Sequence, residues 1–254
     1  VSVGELLPVL VPGKQLRKNE THFANFLLNF FARSVRWLEE HDGQEVGVTS
    51  CGPMDPWFEL LATRYPISVL PRVEVAAMLE ASDRRLIEPD VPRGDPQRWR
   101  RFRASMIDLA EAAGAPQGHV LVLDRVWTDP AYGADGSGAA RRTVPNLADI
   151  AERLARTHPV DVIDLALLPP AEQVRRVVGA QALVGQHGAG LAHLVLLPDG
   201  AGVVEFHSWR NRRRRWFPAL AGKSGRPYER ILQRHDHARV APWRVARALE
   251  RALA

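Results

Sequence analysis

The chain has 254 residues, 46% of them hydrophobic, and carries 34 Lys and Arg against 29 Asp and Glu, a formal charge of +5. That composition suits a globular protein of one large or two modest α/β domains, and the arginine-weighted charge points to anionic partners such as phosphates. The single cysteine, Cys51, excludes an internal disulfide framework and a Cys-based zinc site, and apolar runs such as Val120–Leu123 and Val177–Val184 fall far short of the roughly 18 residues that span a bilayer.

Residues Phe23, Phe26, Leu27, Phe30, Phe31, Val35 and Leu38 recur at steps of three and four, which predicts a helix from near Thr21 with one buried face. Short runs at Glu45–Thr49, Ile67–Leu70 and Arg85–Glu88, bounded by Gly, Pro and Asp, read as strands, with Trp57–Thr63 helical between the first two. An arginine-rich helix is expected over Pro96–Ala113, followed by Gly114-Ala115-Pro116-Gln117-Gly118 as a hinge between domains. Beyond it, strands Val120–Leu123, Val160–Leu165, Ala182–Val184 and Gly202–Phe206 alternate with helices Leu147–Ala155, Ala171–Val178 and Leu191–Leu197. That alternation predicts a parallel sheet with helices on both faces and ligands at the carboxyl ends of its strands. Thr128–Ala140, rich in Gly and Ala, reads as a flap, and a final helix, Pro242–Leu253, sets Trp243, Val245, Ala246 and Leu249 on apolar positions.

The segment with the most chemistry is Gly185-Gln186-His187-Gly188-Ala189-Gly190, between a strand and a helix. A strand-to-helix turn of small residues aims backbone N–H groups at one spot, and the helix dipole favours an anion there by roughly 0.3 to 2 kcal/mol. His187 can donate to a phosphate oxygen or a sugar, and His193 follows six residues on. Glu205 ends the next strand at the same edge, where a carboxylate can accept both ribose hydroxyls. Arg125, Arg141 and Arg142, with Asn146 at the next helix start, can supply guanidinium forks for a diphosphate. A plain tight turn, capping histidines and surface arginines are the competing structural readings of the same residues.

Taken in order, Ala171-Glu172-Gln173, then Ala182-Leu183-Val184-Gly185-Gln186-His187-Gly188-Ala189-Gly190-Leu191-Ala192-His193, then Gly202-Val203-Val204-Glu205 resemble glycosyltransferase family 61, with its EQ pair, HGAGL loop and strand ending in Glu. Asp124-Arg125 and Arg141-Arg142-Thr143-Val144-Pro145-Asn146 are similar to the family's single Arg and RR…N element, and Thr21-His22-Phe23 to its His before an apolar helix. His193 stands where the family often has Asn. The resemblance implies a GT-B-like α/β fold of two Rossmann-like domains with parallel sheets. The expected parts are an acceptor-side domain over 1–113, a nucleotide-sugar-binding domain over 114–238, and a helix over 239–254 that packs back on the first domain. It further implies inverting transfer from a nucleotide sugar, often a UDP-sugar, to a hydroxyl acceptor, a polysaccharide or other glycan. No metal or other cofactor is expected. The donor is then assigned to Arg125, Arg141, Arg142, Asn146, Gln173, His187, Gly188, Ala189, Gly190, His193 and Glu205.

Inverting transfer needs a base for the acceptor hydroxyl and donors for the departing diphosphate. His22, expected in the first turn of its helix, is the candidate base, because the positive helix end keeps an imidazole neutral; His187 is the second catalytic candidate. The chain has no Asp-x-Asp motif, and His235-Asp236-His237 is a poor metal set because adjacent side chains diverge. Arg210 and Arg212 to Arg215, flanked by Trp209 and Trp216, read as a solvated loop or a contact for an acidic acceptor or membrane face, in a cytoplasmic protein peripheral to the membrane. No nucleic-acid module is recognisable, so a nucleotide- or nucleic-acid-binding protein without catalysis is the alternative. A dinucleotide oxidoreductase is disfavoured by the lack of Gly-x-Gly-x-x-Gly after a first strand.

Overall fold

A computed structural model describes residues 7–12, 22–81, 83–89, 97–126 and 142–254. The expected Thr128–Ala140 flap, the helix start at Thr21 and Arg141 lie outside these residues. The chain divides into two compact units, Val1–Asp95 and Pro96–Ala254.

In the first unit, β1 (Val9–Leu10), β2 (Val46–Thr49), β3 (Ile67–Leu70) and β4 (Leu86–Ile87) form a parallel sheet in the order β3-β2-β1-β4. The aromatic periodicity forms α1 (Phe23–Asn25), a π-helical stretch (Phe26–Phe31) and α2 (Ala32–Glu40) in succession. The wider winding brings Phe26 and Phe31, five residues apart, to 5.4 Å between ring centroids. It buries Phe26, Phe30 and Phe31 together. Phe58 of α3 (Asp55–Ala62) meets Phe26 and Phe30 edge-on at 5.5 and 5.6 Å, the arrangement that ring quadrupoles favour. A further helix, α4 (Arg72–Glu80), buries Val75 and Met78 against Val9 and Val11.

The second unit carries β5 (His119–Leu123), β6 (Val160–Ile163), β7 (Ala180–Gln186), β8 (Gly202–Ser208) and β9 (Tyr228–Gln233), all parallel, in the order β6-β5-β7-β8-β9. Its helices are α5 (Arg98–Leu109), α6 (Leu147–Ala155), α7 (Pro170–Val178), α8 (Trp216–Lys223) and α9 (Pro242–Leu253). The molecule is thus α/β, with two Rossmann-like parallel-sheet units. β9 and α8 had no counterpart in the periodicity of the sequence.

Two boundaries differ from expectation. Helix α5 belongs with the second unit: Trp99, Phe102 and Met106 are buried, and the Arg103 guanidinium donates to the Val178 and Leu196 carbonyls at 2.7 and 3.0 Å. The Gly114–Gly118 segment is therefore a packed turn rather than a hinge, and the Pro116 carbonyl fills the space a side chain at Gly179 would need. The last helix, expected on the first domain, packs in its own unit. Val245, Ala248, Leu249 and Ala252 join the core of β7 and β8, while Trp243 is 58% exposed. Close approach demands Gly202 there, since a Cβ would come within 2.9 Å of Ala252. Among the described residues no helix is long and apolar enough to cross a membrane.

Candidate active site

Leu123, Gly185, Glu205 and Arg230 form one row across β5, β7, β8 and β9. Side chains alternate between the faces of a strand, so His187 and His207, each two residues further on, share the face of Glu205. Pairing continues past the end of β7, where the His187 N–H donates to the Phe206 carbonyl at 2.7 Å. The two imidazoles consequently stack, with centroids 4.1 Å apart and planes 15° from parallel. Phe217 of α8 meets the His187 ring edge-on at 5.2 Å.

Glu205 is completely buried. Its Oε1 accepts from His187 Nδ1 at 2.5 Å, and its Oε2 accepts from Arg230 Nε at 2.7 Å and from the Tyr228 hydroxyl. Burial alone would raise the carboxyl pKa, but the His187 and Tyr228 hydrogen bonds and the Arg230 charge outweigh it and hold the group below its ordinary value. An ionised Glu205 sets Nδ1 as the protonated nitrogen of His187 and leaves Nε2 for chemistry. Burial, reinforced by the Glu205 charge, pushes the Tyr228 phenol well above its usual range. His207 is completely buried, and neither of its ring nitrogens has a hydrogen-bond partner among the described residues. Desolvation pushes its pKa down to about 4, so it faces the His187 ring as a neutral imidazole.

On the backbone side of the same residue, two cations converge. Arg125 Nη1 and Arg142 Nη1 donate to the His187 carbonyl at 3.3 and 3.0 Å, and Asp236 Oδ1 lies 3.5 Å from Arg142 Nε. Gly188 is extended, with φ of 170°, so its requirement is space. A Cβ there would stand 2.6 Å from Arg125 Nη1.

The remaining candidates are placed differently from their expected roles. Glu205 has both oxygens occupied and no exposed surface, so it anchors His187 instead of presenting itself to ribose hydroxyls. Asn146 spends both ends of its amide on Val240, donating at 2.8 Å and accepting at 3.0 Å. Gln173 and His193 are buried and lie 2.9 Å apart through Oε1 and Nε2, with His193 Nδ1 2.9 Å from the Gly190 carbonyl. Gln173 also donates to Leu168 at 2.8 Å, so the pair braces the glycine loop against α7. Burial lowers the His193 pKa to about 4. The segment after the loop, Ala189–Leu196, is a 3₁₀ helix rather than an α-helix, which shortens the run of aligned peptide dipoles behind Gly188, Ala189 and Gly190. His22 caps α1 instead of lying in its first turn, is exposed, and accepts from the Asn25 and Phe26 amides through its carbonyl.

Among the described residues, His187, Glu205 and His207 form the one group whose ligand atoms lie close enough, within 4.8 Å of one another, to share a metal ion. His235 and His237 are not in it. The fit is poor on two counts. Near-parallel stacked rings cannot both direct an in-plane lone pair at one ion, and Arg230 already holds the carboxylate. The cluster has the form of a proton-holding network.

The sequence model of the family described as Glycosyltransferase 61 matches residues 23–204, more than half of the chain. The chain belongs to glycosyltransferase family 61. It is therefore a glycosyltransferase, with a sugar donor and an acceptor as its substrates. No individual curated protein matches it. The family match begins one residue after His22, takes in β5 and the glycine loop, and stops one residue short of Glu205. Tyr228, Arg230 and His207 of this family 61 enzyme thus lie outside it, and sequence reading missed them as well. The available signal was the alternation of Tyr228 and Arg230 with Glu229 on a short strand, which becomes informative only once β9 is known to lie beside β8.

Proposed function

We propose that this family 61 enzyme transfers a sugar, with inversion, from a nucleotide sugar to a hydroxyl of a polysaccharide or other glycan, with a UDP-sugar as donor and a GT-B arrangement. The observation that carries the reading is the convergence of Arg125 and Arg142 on the His187 carbonyl, where the small residues Gly188, Ala189 and Gly190 follow. Guanidinium groups at a glycine loop suit a diphosphate leaving group, because each fork brings several N–H donors to phosphate oxygens. His187, oriented by Glu205, adds an imidazole N–H or lone pair beside the same loop. The leaving-group charge is met by these residues, with each strong donor contributing about 3 kcal/mol as in oxyanion sites, so no metal is required.

His22 is the proposed base for the acceptor hydroxyl. A positioned base contributes roughly 10²- to 10⁴-fold, so His22→Ala should lower turnover by about that factor while nucleotide binding persists. A panel of nucleotide sugars in a thermal-shift assay, followed by transfer and donor-hydrolysis assays with and without EDTA, tests the reading. Stabilisation by one UDP-sugar and EDTA-insensitive transfer support it. Stabilisation by NAD alone refutes it, and nucleotide binding with neither transfer nor hydrolysis reduces the chain to a binder.

A further inference from the structure

Immediately after β8, whose end carries His207, the chain runs Trp209-Arg210-Asn211-Arg212-Arg213-Arg214-Arg215-Trp216. Trp209 and Trp216 are 55% and 46% exposed. The five arginines are exposed, and none forms an ion pair with a carboxylate among the described residues; Arg212 instead lies 4.9 Å over the Trp209 ring. Some exposed arginines of this unit find carboxylates, as Arg239 does with Asp149 and Arg251 with Glu229, whereas Arg234, Arg244 and Arg247 form no ion pair among the described residues; what sets the segment apart is five arginines within six residues. Like charges this close in sequence repel, and an anionic ligand along the segment would relieve that repulsion. Helix α8 starts at Trp216 without a side-chain cap or an acidic residue in its first turn. Its positive end therefore adds to the same field.

The patch is joined to the site. Trp216 meets Phe217 edge-on at 5.2 Å, Phe217 meets His187, and Arg230 bridges Glu205 to the Arg212 carbonyl at 3.2 Å. The patch thus touches the residues that pack against His187 and Glu205.

We infer that this segment binds an acidic glycan acceptor, one whose sugar rings carry carboxylates. The inference rests on the reading of the chain as a transferase acting on glycans. Tryptophan faces fit the C–H faces of sugar rings, and guanidinium forks fit carboxylates bidentately. A membrane is the weaker match, because in this segment only the two tryptophans are large exposed apolar residues; Phe217 is buried.

The test is titration of the whole chain with an oligogalacturonate, against a neutral cello-oligosaccharide of equal length, with UDP binding measured on the same proteins. Two variants are compared, Arg213→Ser/Arg214→Ser/Arg215→Ser and Trp209→Ala/Trp216→Ala, both confined to exposed positions and checked by melting temperature. The uronate should bind and the neutral glycan should not. Affinity should fall with salt as the Debye length shortens toward ~3 Å near 1 M, and each variant should weaken it about ten-fold or more while binding UDP as before. Equal binding of the neutral glycan, or wild-type uronate affinity in both variants, overturns the inference. So does a surface that ignores the uronate yet binds phosphatidylglycerol vesicles or a single-stranded oligonucleotide through the same residues. Loss of UDP and UDP-sugar binding in the wild type, with uronate binding intact, would instead count against the donor assignment.

Discussion

The aromatic cluster of the first unit and the His187–Glu205 cluster of the second are both buried, yet they are held by different physics. Phe26, Phe30, Phe31 and Phe58 exchange water for one another, an attraction without direction that tolerates rearrangement at constant volume. Glu205 of β8 instead depends on His187, Tyr228 and Arg230, each at a set position and drawn from the neighbouring β9 and from just past the end of β7. A packed apolar core loses stability in proportion to what is removed. A polar network in a dry setting fails when any one partner leaves, because the others stay buried and unpaired.

Glu205→Ala should therefore have the largest effect. It strands Arg230 and the Tyr228 hydroxyl and releases His187, with an expected loss of about 3 to 5 kcal/mol in urea unfolding and of transfer activity even in the folded fraction. Phe30→Ala, in the other region, should lose about 3 to 5 kcal/mol through transfer and cavity terms but leave UDP affinity of the folded protein unchanged. Equal stability costs with unequal effects on donor binding would confirm the contrast, and loss of UDP affinity in Phe30→Ala would break it.

Acid titration separates the regions more gently. His193 and His207 are buried, with pKa values lowered from 6.5 to about 4. Below pH 6.5 the unfolded chain binds protons that these folded imidazoles refuse, so stability is full above that pH. It declines by about 1.4 kcal/mol per unit for each histidine until the folded pKa is reached. Glu205, with its pKa lowered, adds a further loss as pH falls through the carboxylate range. Urea midpoints from pH 7 to 4 should fall for the native chain and less steeply for His207→Phe; parallel curves would show that His207 titrates normally. The smallest effect is expected from Gly188→Ala, where a Cβ displaces the Arg125 guanidinium. UDP affinity should drop about ten-fold, close to 1.4 kcal/mol, with little change in melting temperature. Unchanged affinity would remove Arg125 from the donor site.

The sequence alone sufficed for the alternating elements, the parallel sheet of the second unit, the aromatic helix and the glycine loop. Each is written in a local period or a short ordered motif, and local periods follow from backbone geometry. It even grouped His187, Arg125 and Arg142, through the order of the motif, and the structure brings these three into contact. Only the tertiary structure decided what Glu205, Asn146, Gln173 and His193 touch, because a carboxylate or amide looks the same in sequence whether it faces a ligand or a buried partner. Tyr228 and Arg230 reach Glu205 through a strand order, β8 beside β9, that no local pattern encodes. The contacts of α5 and α9 likewise depend on which sheet each apolar face meets. Local geometry is set by neighbouring residues, whereas the pairing of buried polar groups is set by which distant strands share a sheet edge, and that difference divides what was legible from what was not.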